Sequence, residues 1–458
     1  GVASRDRRLK YISGFSVSEG IAVVTNTSAV LWVDSQYYMQ ADAELACFWL
    51  IMRPDLPQVP SIPRWLRQQL RSGARVGTDP RLIAHSSWVD LESDLAKVNI
   101  SLVSVEANLI DHIWTRNRPQ YSKNTSFVHA LKYAGEAWES KVQRVRAKLK
   151  ELGAEAQVIT ALDEVAWLLN IRGVDAPFVP VVRAYVLLAQ DTIDMYIPGG
   201  AAGVSDAVGE KKLPHSSPIL MIKSVKNDVE IKGMRQAHVR DAAALCLFMA
   251  YLEDMLETGK EINESYVATT VDAFRLDQPL SEGASFRTIA GYGKNGALPH
   301  YRPKAASALR IKDDSTLVLD SGGQYLDGTT DVTRTLHFGK PTSLQREAYT
   351  RNALNYNVTG PYLTFRAATL VPYEPKLINI DLLTPDLRKM LNDYNARVRI
   401  EVGPELKKKN DLKGFRWMMN KTGYIPEWAP PKSSSYTLRP TLIFLTLCST
   451  VALFCHFT

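Results

Sequence analysis

Residues 317–337 read Leu-Val-Leu-Asp-Ser-Gly-Gly-Gln-Tyr-Leu-Asp-Gly-Thr-Thr-Asp-Val-Thr-Arg-Thr-Leu-His, and two of these carboxylates are placed to do chemistry together. An apolar run ends on Asp320, and a β-rich run from Thr329 to Phe338 carries Asp331. Between them, Asp327-Gly328 is a two-residue hairpin signal. With those residues as the turn, Gln324 faces Asp331, and Asp320 lies four positions along on the same face. Four residues of strand span about 13 Å, too far to share an ion across a flat ladder. Gly322-Gly323 permits the bulge or bend that draws the carboxylates together. Two carboxylates held close repel each other unless a cation sits between them, which is the physical case for a metal site. Spacing alone favours the blander reading, an ordinary hairpin with two exposed aspartates.

The run Asp-Ser-Gly-Gly-Gln-Tyr-x-Asp-Gly-Thr-Thr-Asp-x-Thr-Arg-Thr resembles the signature of the Xaa-Pro aminopeptidases, eukaryotic aminopeptidase P type, of peptidase family M24. Upstream, Leu298-Pro-His-Tyr301 resembles that family's substrate-site histidine segment, and Arg5 to Phe15 resembles its Asp-Glu-Arg-Arg-x-x-Ile-Thr-Gly-Phe segment. The likeness runs from Arg5 to about Trp428. It implies that Asp320 binds one metal, that Asp331 bridges two divalent ions (Mn or Zn), and that His300 contacts substrate and the reacting centre. It also implies proline-containing peptides as substrates, cleaved after the first residue by a metal-bridging hydroxide, and leaves a homodimer open. The implied fold is α/β: two tandem creatinase-like N-terminal α/β domains before a pita-bread α+β catalytic domain.

The same resemblance exposes a gap. The family site takes five ligands, and its His-Gly-x-Gly-His and Glu-Pro-Gly-Tyr segments occur nowhere in this chain. After Arg351 only a short stretch precedes Pro361-Tyr-Leu-Thr-Phe-Arg366, where the family has Leu-Thr-Phe-Glu, so Arg366 stands at the position of the last ligand. The catalytic domain is therefore expected to be shortened, with two of five ligands, a nearby Arg competing for the Asp pair, no bound metal and no turnover. His337 alternates onto the Asp331 face but reads as a strand residue, Glu347 as exposed, and His238 as a packed helix residue. Two alternatives stay open: a non-catalytic, surface-anchored binding or scaffold paralogue, and an incomplete gene model of an active enzyme. The start at Gly1, without an initiator Met, points the same way.

The elements that must position these residues follow from periodicity. At 458 residues, 45% hydrophobic and 22% charged, the chain can bury cores for two or three domains. The boundaries expected are 1–123, 124–218, 219–428 and a 429–458 tail. A hairpin is expected over 20–40, helices over 41–52 and 62–72, and a strand over 75–80. The second unit should hold a long helix over 126–152 and a hairpin over 184–197, followed by a linker over 199–217. The third should hold helices over 223–257 and 261–274, a sheet beginning at 286–290, and helices within 376–424 starting at the Thr384 cap.

The formal charge of +7 is spread along the chain. Its one dense basic cluster, Lys407-Lys408-Lys409, has no interleaved aromatics, which argues for a solvated helix face and against nucleic acid. Four cysteines are too few for a disulfide scaffold; Cys47 and Cys246 read as buried thiols. Residues 441–458 are apolar and follow the small residues Ser433 to Ser435, suggesting a GPI-attachment signal, with a tail anchor as rival. With six Asn-x-Ser/Thr sequons, this predicts a glycoprotein on the extracellular face of the plasma membrane, held there through its tail.

Overall fold

The computed structural model describes residues 2–17, 19–121, 126–197, 216–353, 366–409 and 412–427. In the first unit the predicted hairpin forms from Ile21–Val24 and Ala29–Trp32, with Val24 opposite Ala29. The helix expected over 41–52 does not. The chain is helical over Tyr38–Glu44 and then extends as the strand Trp49–Met52, parallel to Ala29–Trp32. Of its apolar residues Trp49 is buried and Leu50 faces solvent, the alternation of a strand, and a run of Trp-Leu-Ile-Met fits a pleated surface as well as a helix face. Cys47 lies in the intervening turn and is exposed, correcting the expected buried thiol; Cys246 is buried as expected. Helix Ile62–Gln69 and strand Arg75–Thr78 stand where predicted, the latter paired in parallel with Ser101–Ser104.

In the second unit the long helix expected over 126–152 is broken. A short strand, Phe127–Val128, and a turn of helix, Leu131–Ala134, precede the helix Trp138–Glu151. Gly135 adopts φ +71° and stops the first turn. The hairpin Tyr185–Ala189 with Ile193–Tyr196 forms as predicted and continues onto Ala156–Ile159. The expected linker lies largely outside the described residues.

The third unit carries the site. Helix α1 (Asp228–Glu257) starts on a capping box in which Asn227 and Glu230 satisfy each other's backbone donors. Helix α2 (Glu264–Leu276) is capped by Asn263. Strands β1 (Ser281–Ala284), β2 (Ile289–Tyr292), β3 (Thr316–Ser321), β4 (Gly323–Tyr325), β5 (Gly328–Thr329) and β6 (Val332–His337) form two antiparallel three-stranded sheets, β2-β3-β6 and β1-β4-β5. Helix α3 (Ser343–Ala353) follows, then α4 (Pro385–Lys408), capped by Thr384 as predicted, and α5 (Leu412–Lys421). One core unites α1, α2, the β2-β3-β6 sheet and the C-terminal pair, through residues such as Phe248, Leu317, Leu319, Val398 and Met418.

Polar clamps join the parts on either side of residues 354–365. Arg334 on β6 donates to the carbonyls of Val371 (2.6 Å) and Pro372 (3.1 Å). Buried Lys421 reaches both Glu253 and Glu374 at 2.7 Å. Lys407–Lys409 ends α4 as the expected surface cluster: Lys408 pairs with Glu405, and Lys407 lies over the Phe415 ring. Of the sequons, Asn26, Asn99 and Asn420 are exposed, the Asn263 side chain caps α2, and Asn124 and Asn357 lie outside the described residues.

Candidate functional site

The hairpin that carries the aspartates turns one residue earlier than Asp327-Gly328 predicts. Tyr325 pairs with Gly328 and Gln324 with Thr329, so Leu326-Asp327 is the turn and Gln324 does not oppose Asp331. The reason is helix α1. A Cβ on Gly328 would meet the Ala237 Cβ at 2.8 Å and the Met234 Cα at 3.0 Å, so this glycine serves a close approach rather than a turn. Asp327 is held by an ion pair with Arg240 on the same helix.

Because both registers keep the same alternation, the two aspartates still share a face. Asp320 pairs with Thr333 across β3 and β6, which makes Asp331 its diagonal neighbour. The chain reaches that diagonal by crossing from one sheet to the other at Gly322. There a Cβ would fall 2.0 Å from the Thr330 carbonyl oxygen and 2.3 Å from the Ser285 hydroxyl. Only glycine fits, so the expected bend is real, although it works by a sheet crossing rather than a bulge.

The carboxyl groups of Asp320 and Asp331 lie close enough that each shifts the titration of the other. The Thr333 hydroxyl donates to Asp320 Oδ1 at 2.8 Å. Asp331 is exposed and Asp320 half-buried. Both titrate above the ordinary carboxylate range: Asp320 mainly through burial, Asp331 through burial and then the charge of Asp320.

The nearby cation is not Arg366, which is exposed and lies 3.9 Å from Glu401. It is Arg275 on α2, fully buried, whose charge favours the ionised form of both aspartates. Asp241 on α1 accepts from Arg275 at 2.7 and 3.2 Å and from the Tyr325 hydroxyl at 3.0 Å. Sequence reading missed this cluster, because residues on two helices and a strand carry no shared spacing. Thr333 was not singled out either, although its place two residues after Asp331 puts it on the same strand face.

His300 lies in the loop after β2, with no hydrogen bond to the aspartates. Its ring stacks on Tyr37 of the first unit (centroids 5.0 Å, interplanar angle 27°), and the Tyr37 hydroxyl donates to Glu19 at 2.8 Å. Burial lowers the His300 pKa, against the opposing charge of Glu19. The loop is anchored by the fully buried Glu264, which accepts from the Tyr301 hydroxyl and from the Tyr292 and Leu309 N–H groups, each at 2.7 Å. His337 is buried at the far end of β6, where its Nδ1 accepts from the Gly339 N–H at 3.2 Å. Glu347 is surface-facing and paired with Arg351, and His238 bonds the Met234 carbonyl along its own helix. A cavity of about 440 Å³ opens beside Thr333, between β6 and α3, and is lined also by Thr335, Tyr349 and Tyr373.

Residues 232–353 match the metallopeptidase family M24 profile and residues 361–425 match the C-terminal region of peptidase M24. Residues 2–113 and 117–208 each match a creatinase/prolidase N-terminal domain. The Xaa-Pro aminopeptidase ApepP of Drosophila melanogaster is 38% identical over 393 residues, covering 76% of this chain and 64% of that protein. The chain belongs to metallopeptidase family M24. An X-prolyl aminopeptidase from Caenorhabditis elegans, described as a cytosolic enzyme with a di-nuclear active site, superposes with a TM-score of 0.86 at 27% identity and covers 93% of both chains. Xaa-Pro aminopeptidase 2 of Sus scrofa is 29% identical over 575 aligned positions, 94% of this chain and 85% of that one. That alignment is longer than the 458 residues of the chain, so the relative carries residues that the chain lacks. The chain spans just under two thirds of the Drosophila relative's length. The two creatinase-type units and the M24 domain agree with the fold expected from sequence.

The expected extracellular, membrane-held location is corrected. Among the described residues no helix is long and apolar enough to cross a membrane, and the superposable relative is described as cytosolic. Residues 441–458, on which that expectation rested, lie outside the described residues.

The family's two-metal centre can be tested against the donors present. Among the described residues no third His, Cys, Asp or Glu joins Asp320 and Asp331. Residues 354–365, Leu-Asn-Tyr-Asn-Val-Thr-Gly-Pro-Tyr-Leu-Thr-Phe, contain none of these types. Two carboxylates alone leave most of any coordination sphere to water. This donor set does not fit a di-nuclear centre.

Proposed function

We propose that the chain is an Xaa-Pro aminopeptidase by descent that retains the site for peptides with proline in second position and lacks the hydrolytic step. The observation that supports this is the Asp320–Asp331 pair: it is brought together on one sheet face, yet among the described residues no third His, Cys, Asp or Glu stands beside it. In this reading Asp320 and Asp331 mark the former metal position, and His300 faces the peptide from the adjoining loop. The Thr333 hydroxyl keeps Asp320 oriented. The neighbouring cavity has room for a peptide residue.

The test is expression of the chain and measurement of bound Mn and Zn, with an Ala-Pro-Pro cleavage assay in added Mn²⁺. Substoichiometric metal, measurable peptide binding and no release of alanine support the proposal. Two metals per chain with chelator-sensitive turnover would restore the active aminopeptidase.

A further inference from the structure

Phe178, in the second unit, has a left-handed backbone with φ +67°, a conformation that bulky L-residues rarely adopt. Burial of its ring does not explain the strain, because the residue stays 38% exposed. The turn around it is firmly built. Asp175 accepts from the Arg183 N–H at 2.8 Å, Ala176 bridges Val179, and Ala176 and Val181 are buried together with Ala166. Strain held by a rigid turn and spent on an exposed aromatic is the pattern of a functional position.

Its address is the site itself. Gln324 on β4 donates to the Phe178 carbonyl at 2.9 Å, tying this loop to the hairpin. Gln324 pairs with Thr329, and exposure alternates from Thr329 (out) through Thr330 (in), Asp331 (out) and Val332 (in) to Thr333 (out). Gln324 therefore shares the face of the aspartates, and its side chain holds the Phe178 backbone beside that face.

We infer that Phe178 is a specificity-determining residue whose ring forms the wall against which the proline ring of a bound peptide packs. The inference rests on the peptide site proposed above. Proline offers no N–H at its peptide bond, so recognition cannot use a donor there and has to rest on shape and apolar contact. A fixed aromatic face supplies that contact.

The experiment measures binding of Ala-Pro-Pro and Ala-Ala-Ala to the full chain by calorimetry, for the wild type, Phe178→Ala and Phe178→Gly. The wild type should prefer Ala-Pro-Pro. Both variants should lose about tenfold in affinity for it, the scale of one lost aromatic contact, with Ala-Ala-Ala unaffected. Phe178→Gly, freed of the left-handed strain, should also melt higher than the wild type. An unchanged preference in the variants overturns the inference while leaving the peptide site standing. So does a lower melting temperature with equal losses for both peptides, which would make the ring a packing residue. No wild-type binding of either peptide refutes the peptide-site reading, and the inference with it.

Discussion

Replacing Gly322 by alanine should separate the aspartates without touching either. The new Cβ would lie 2.0 Å from the Thr330 oxygen, which has to retreat by about 1.4 Å to reach ordinary contact at 3.4 Å. Four hydrogen bonds span this crossing. The Ser285 hydroxyl donates to the Thr330 carbonyl (2.7 Å) and the Ser285 N–H to the Gly322 carbonyl (3.0 Å). The Gly323 N–H donates to the Thr330 hydroxyl (2.9 Å), and the Thr330 N–H donates to the Gly323 carbonyl (2.9 Å). A retreat of that size breaks at least the first. At about 1 kcal/mol for that neutral bond, and with overpacking strain of about 1–3 kcal/mol, the loss should be about 2–4 kcal/mol. Urea unfolding measures it as a fall in midpoint at constant slope. The carboxyl resonances of Asp320 and Asp331 should also move toward ordinary titration, because the pair is pulled apart. A loss under about 1 kcal/mol with the pair's titration intact would refute the claim that the crossing requires glycine.

Three further outcomes follow from the same geometry. The raised pKa of Asp320 and Asp331 means the folded state holds protons more tightly than the unfolded chain, so their contribution is full below the ordinary value of 3.8 and is lost as pH rises through the folded values. An Asp320→Asn/Asp331→Asn variant should therefore gain stability over the wild type at pH 7 and lose that advantage at pH 3, as read by urea unfolding. Asp241→Leu alone leaves Arg275 buried without its partner and should cost about 3–5 kcal/mol, whereas adding Arg275→Met should recover most of it; a double-mutant cycle checks the coupling. Tyr37→Ala opens the His300 ring to water, so its NMR-detected pKa should rise toward 6.5.

The face shared by the aspartates was legible because alternation in a strand has period two and survives a register shift of this kind. The turn position was not, because Gly328 is glycine for the sake of helix α1, and close approach leaves the same letter as a turn. Likewise Trp49–Met52 presents one apolar run to either a helix or a strand reading, and only its pairing with Ala29–Trp32 decides. The 126–152 helix failed at Gly135, whose φ sign cannot be read from its neighbours. The counter-charge was invisible for a different reason. Arg366 lies close in sequence to the lost ligand position, but Arg275 and Asp241 meet only through the packing of α1 on α2. His300 stands out in sequence only through its Leu-Pro-His-Tyr segment, while Tyr37, on which its ring stacks, sits more than 260 positions away in another unit.

The clamps that bridge residues 354–365 make the third unit a two-piece object whose cohesion does not reside in its covalent joint. Arg334 with Val371 and Pro372, and Lys421 with Glu253 and Glu374, hold the C-terminal piece to the helix and sheet that precede it. The joint is then free to vary in length, since closing an eightfold longer connection costs only about 2 kcal/mol. Fragments 1–353 and 366–458, produced separately, should accordingly find each other and dock. The position between them is also the natural port for grafting a foreign domain, or for cleaving the protein on command with an inserted protease site.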